Sequence, residues 1–181
     1  MKNKAFRYIF LSQCVLVVGL AICYLIYPHN VNISYLGNLR ETIIPYALGF
    51  IGSSYLLWKA CVQFDSQKNL QRALRFLVIF LLAILCTPFT VDIGFHIAHD
   101  LVASTYFMTA FVISCLILKI YKVSVLNVIL LLIEFFSLIT LIIVSRNPHL
   151  YHYQLFYELL NLISSGILLD YNVLSKGLSK S

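Results

Sequence analysis

An all-α, polytopic membrane protein built as one bundle of six transmembrane helices is the fold the sequence predicts, and three observations predict it. First, 61% of the 181 residues are apolar and only 11% are charged, against roughly 25% charged in an ordinary soluble domain. Second, the mean hydropathy is +0.90, and the apolar residues gather into runs of roughly 20, the length that crosses a bilayer. Third, the basic residues fall almost entirely on alternate connections. Together these exclude a soluble enzyme, a disulfide-stapled secreted domain and a disordered tail.

The six windows follow in order. The first, Tyr8–Tyr27, has the basic start of a signal peptide but no small-x-small cleavage site, and Ile22 before Cys23 rules out a lipoprotein signal. It is expected to stay as an uncleaved helix. The second, Ile43–Val62, carries Gly49, Gly52 and Ser53, a small-x-x-x-small face suited to close backbone approach by a neighbour. The third, Phe76–Phe89, is the shortest because Pro88 interrupts it, and it borrows Ala73 and Leu74 to reach across. The fourth is Ile97–Leu118, the fifth Val123–Ser145 and the sixth Leu155–Asp170. The connections are short, so neighbouring helices run antiparallel and residues 1–181 form one integral membrane domain.

The positive-inside rule orients the bundle. Lys2, Lys4, Arg7, Lys59, Lys68, Arg72, Arg75, Lys119, Lys122, Lys176 and Lys180 fall on one side, and only Arg40 and Arg146 on the other. Both termini are therefore expected in the cytoplasm. The net charge of +6 reads as an orientation device and a match for anionic headgroups, with no nucleic-acid partner. The cysteines Cys14, Cys23, Cys61, Cys86 and Cys115 lie in or beside the spans without any C-x-x-C spacing, and are expected to be buried apolar side chains. Many tyrosines, Tyr8, Tyr27, Tyr35 and Tyr121 among them, fall near the interfaces as an aromatic belt. Asn32-Ile33-Ser34 fits a glycosylation acceptor but lies close to the end of the first span.

All five histidines map to the non-cytoplasmic side, together with Glu41, Asp92, Asp100 and Glu158. On a helix, Asp92, His96, His99 and Asp100 share one face. That pattern has more than one chemical reading. Asp92, His96 and His99 are candidate ligands for zinc; His96, His99 and Asp100 are candidate catalytic groups, a carboxylate fixing the imidazole tautomer. The same residues also suit headgroup recognition, or a structural polar cluster in which Asp92 caps the fourth helix. Deeper in the chain, Glu134 falls mid-span, where an unpaired carboxylate costs at least ~2.5 kcal/mol, so it is expected to face the interior with Asn127 seven residues earlier. Glu158, Asn161 and Ser165 make a matching stripe on the sixth helix, so the fifth and sixth helices are expected to meet through these polar residues. Such an interior serves as glue between helices or lines a ligand cavity. There is no Walker loop, Gly-rich dinucleotide turn, G-x-S-x-G or H-E-x-x-H.

The loop HNVNISYLGN followed by IIPYALGF, and the segment FHIAHDLVASTYF, resemble the Frag/DRAM/Sfk family of six-helix membrane proteins, and still more closely its prokaryotic relatives, grouped as a domain of unknown function. Ile33, Ser34 and Gly37 match the first motif; His99, Ala103 and Phe107 match the second. Tyr35 stands where that loop often carries an Asp after the Ser. The resemblance implies a polytopic membrane protein, with eukaryotic members linked to autophagy, lipid-anchor remodelling and plasma-membrane lipid organisation. It also points to a bacterial inner membrane.

Three functions compete on the sequence. The leading one is binding or organising membrane lipid through a polar extracytoplasmic pocket, with His99, Asp100, Glu158, Asn161 and Glu134 as ligand-binding candidates. The second is a membrane-embedded, metal- or His-dependent lipid hydrolase or transferase. The third is a small proton-coupled transporter using Glu134.

Overall fold

The computed structural model describes residues 2–28, 33–64, 67–87, 93–120, 124–145, 153, 156–164 and 166–167. Among them the chain is all-α, without a strand: α1 (Lys2–Ile26), α2 (Ile33–Leu36), α3 (Ile43–Cys61), α4 (Lys68–Cys86), α5 (Ile93–Ile120) and α6 (Val125–Ser145). Residues 156–164 and 166–167 are also helical.

Four helices are long and apolar enough to cross a membrane, over Arg7–Ile26, Lys68–Cys86, Ile97–Leu116 and Val125–Ile143. Their outward faces carry large apolar side chains such as Leu25, Phe76, Leu101 and Phe136. A helix that is apolar on its outer face as well as its inner one has lipid as its solvent, so the chain is an integral membrane protein. The remaining long helix, α3, spans 19 residues, but Pro45, the Gly49, Gly52, Ser53 and Ser54 group and Lys59 dilute its apolarity.

Several element bounds differ from the sequence windows. α4 starts at Lys68, eight residues ahead of the predicted third span, because hydropathy marks only the lipid-embedded part and the helix continues into its basic end. α5 likewise starts at Ile93. The four-residue helix α2 was not expected, being too short to leave a periodic signal. Of the predicted sixth span, residues 155, 165 and 168–170 lie outside the described residues.

Packing follows chain order: α1 lies on α3, α3 on α4, α4 on α5 and α5 on α6. α1 and α3 are antiparallel and in very close approach. Gly19 and Gly49 meet so tightly that a Cβ on Gly19 would lie 2.9 Å from Gly49 Cα. The small face expected on α3 is this seam, and the Ser12 and Ser53 hydroxyls hydrogen-bond across it at 2.8 Å. Small residues let two backbones approach where lipid offers no hydrophobic drive for association. At the basic end, Arg75 stacks over the Trp58 ring at 5.6 Å and Gln71 Nε2 donates to the Cys61 carbonyl at 3.1 Å, clamping α3 to α4.

All five cysteines are free. Cys23 and Cys61 are buried and Cys14 is half-buried, but Cys86 and Cys115 are exposed. The expectation of five buried thiols is thus corrected, since a small, weakly polar thiol is tolerated on a lipid-facing surface.

Candidate functional site

At the end of the bundle opposite the basic clamp, α2 is pulled inward by three tethers. The Thr42 hydroxyl, fully buried, donates to the Leu36 carbonyl and so closes the turn between α2 and α3. The Ile33 N–H, one of the first donors of α2 and without a partner inside the helix, donates to Glu158 Oε2 at 3.2 Å. Ser34 Oγ lies 2.7 Å from His99 Nε2. His99 is 3% exposed, and its other ring nitrogen, Nδ1, is hydrogen-bonded to the Thr87 carbonyl oxygen at the end of α4.

This arrangement settles the imidazole tautomer. A carbonyl oxygen only accepts, so Nδ1 carries the proton, and in the neutral ring Nε2 is the acceptor. The Ser34 hydroxyl therefore donates to Nε2. Both ring nitrogens are engaged by protein groups, and a metal ion at His99 would displace one of them.

Ser34, His99 and Glu158 line a cavity of about 80 Å³, as do Asp100 and Ser104. The rest of the lining is apolar: Ala103, Phe107, Met108, Leu138, Leu141 and Ile142. A second, smaller cavity of about 40 Å³ shares Ser34, Ala103, Phe107 and Glu158 with it and adds Tyr46, Tyr106 and Leu162. A third, of about 180 Å³, adjoins that one at Leu16, Tyr106 and Leu162 and continues toward the other end of the bundle, past Ser12, Ser53 and Gly166. The His, Asp and Glu side chains that line these spaces, His99, Asp100 and Glu158, thus lie at one end of the series.

No protein-family model, curated protein or solved structure matches the chain. The site is therefore read from its own geometry.

Of the candidate residues, His99, Asp100 and Glu158 come together around one cavity. Asp92 lies outside the described residues, as do His29, His149, His152 and Asp170, and for His96 only the helical backbone is described. Among the described residues no three His, Cys, Asp or Glu side chains gather to hold a metal. Asn161 and Glu134 belong to a separate cluster, deeper between α6 and helical segment 156–164. There Asn161 Nδ2 donates to the Glu134 carbonyl at 3.1 Å and to Ser137 Oγ at 3.0 Å, and the Ser137 hydroxyl donates to the same carbonyl at 2.9 Å. The two helices meet through their polar stripes as expected, although Asn161 binds the Glu134 main chain. Asn127 and Glu134 are both 0% exposed, on one face of α6. The Glu134 carboxyl oxygens have no hydrogen-bond partner among the described residues. Ser114 faces that carboxyl but donates its hydroxyl proton to the Ala110 carbonyl at 3.2 Å.

Sequence reasoning missed the role of Ser34, which entered only as part of a motif, and of the Thr87 carbonyl. It also missed Ser137, which sits three residues after Glu134 on the same face and was findable by helical spacing alone.

Proposed function

We propose that the protein binds membrane lipid at the cavity between α2, α5, α6 and segment 156–164, with the headgroup against Ser34, His99, Asp100 and Glu158 and acyl chain against Phe107, Met108, Leu138 and Ile142. The observation that carries this reading is the mixed lining of that cavity, in which Ser34, His99, Asp100 and Glu158 stand together with large apolar side chains, a combination that matches an amphiphile. Two carboxylate residues line it, with no Lys or Arg among the described lining residues. Acceptor-rich walls favour a headgroup that donates, through hydroxyls or an ammonium, over a bare phosphate.

This reading places the chain as a six-span bundle with both termini cytoplasmic and the site on the far side. The partition of Lys and Arg supports that topology. The resemblance of NISYLG and FHIAHDLVASTYF to the Frag/DRAM/Sfk family supports the layout and a bacterial inner membrane.

Mass spectrometry of lipid retained through purification tests the proposal. Wild type is expected to carry a defined lipid that an Asp100→Asn, Glu158→Gln double variant loses. A folded double variant with the same lipid complement would overturn it.

A further inference from the structure

A serine hydroxyl is a poor nucleophile until a neighbouring base takes its proton, and the structural signature of an activated one is a base within hydrogen-bond reach that is itself oriented by a third group. Ser34 meets each condition. Its Oγ lies 2.7 Å from His99 Nε2, the nitrogen left with a lone pair because Nδ1–H is committed to the Thr87 carbonyl. That hydrogen bond holds the ring in the basic tautomer and orientation, the task an Asp performs in a Ser-His-Asp triad. Ser34 is half-buried and lines the cavity already assigned to lipid, beside His99.

We propose that Ser34 is an acyl-accepting nucleophile and His99 its general base, acting on an ester-linked acyl chain of a membrane lipid. This rests on the lipid-binding reading of the cavity and adds a reaction to it. Ser34 Oγ forms a bond to the ester carbonyl carbon while its proton passes to His99 Nε2. The tetrahedral intermediate collapses with cleavage of the bond to the lipid alkoxide, which leaves with the proton from Nε2. The chain remains as an ester on Ser34, with Phe107, Met108, Leu138 and Ile142 against it. Water then attacks that ester as His99 takes its proton; the bond to Oγ breaks, the proton returns to Ser34, and a free fatty acid departs. The imidazolium formed midway faces the Thr87 carbonyl, with Asp100 and Glu158 lining the same cavity.

The test uses the full chain in phosphatidylethanolamine/phosphatidylglycerol nanodiscs, treated with an alkyl fluorophosphonate and, separately, a fluorogenic fatty-acyl ester. A phosphonyl adduct on Ser34 is expected by peptide mass spectrometry. His99→Gln should slow labelling and ester hydrolysis by at least ~100-fold, while Thr140→Ala, outside the cavity on α6, leaves both unchanged. Wild type is decisive by itself, whatever the folding of the variants. If it retains lipid but gives neither adduct nor hydrolysis, the nucleophile is overturned and the binding reading stands. If Ser34 is labelled in a His99-dependent way while no lipid is retained, the nucleophile stands and the binding reading fails.

Discussion

Glu158 accepts the Ile33 N–H at 3.2 Å, joining residues 125 positions apart and fastening α2 to the C-terminal helical segment. Glu158→Leu leaves that buried donor unpaired and is expected to cost about 1–3 kcal/mol. Glu158→Gln keeps an acceptor oxygen and should cost less. Thermal unfolding in detergent orders the two variants, and equal losses would show that the bond contributes nothing.

The Gly19 and Gly49 contact sets the spacing of α1 and α3. A Cβ at Gly19 would stand 2.9 Å from Gly49 Cα and 3.1 Å from the Pro45 carbonyl, both backbone atoms with no freedom to swing aside. Gly19→Val is expected to destabilise the bundle by about 1–3 kcal/mol through overpacking, read as a lower melting temperature. An unchanged melting temperature would mean that the two helices are free to move apart.

The Glu134 carboxyl is fully buried with neither oxygen hydrogen-bonded among the described residues. Replacing an unsatisfied buried polar group by an apolar one of similar shape is neutral or stabilising. Glu134→Met is therefore expected to raise the melting temperature or leave it unchanged. A marked loss of stability would reveal a bonded carboxyl instead.

Asn161 and Ser137 both serve the Glu134 carbonyl, and they bond each other. Asn161→Leu and Ser137→Ala should each destabilise, and their effects should fall short of additive by about 0.6 kcal/mol, the average for polar contacts between membrane helices. A double-mutant cycle measures it; strict additivity would separate the two residues.

Sidedness is open to a direct measurement. Arg40 and Lys68 are both exposed, near opposite ends of α3. With the exposed Cys86 and Cys115 changed to Ser, Arg40→Cys should react with a membrane-impermeant maleimide on intact cells. Lys68→Cys should react only after permeabilisation. The opposite pattern would invert the proposed topology.

Much of the candidate site was legible along the chain. His99, Asp100 and Glu158 stood out because histidines and acids are few in so apolar a chain. Glu134 and Asn161 were expected to face each other's helices, and they do, since helical period alone places Asn127 with Glu134 and Glu158 with Asn161. Ser34 was not legible as a site residue, because a serine in a loop has no periodicity and the chain contains many.

The sequence by itself determined the solvent of this protein, its helical class and the faces its polar residues share. Hydropathy and helical period are local sums over neighbouring residues, so they survive without knowledge of the fold. Tertiary structure alone decided that Ser34 meets His99 across 65 residues, that the Thr87 carbonyl orients the imidazole, and that Gly19 finds Gly49. Such pairings depend on which helices become neighbours and in what register. Backbone groups like the Thr87 carbonyl are present at every residue, so only position in space gives one of them a role.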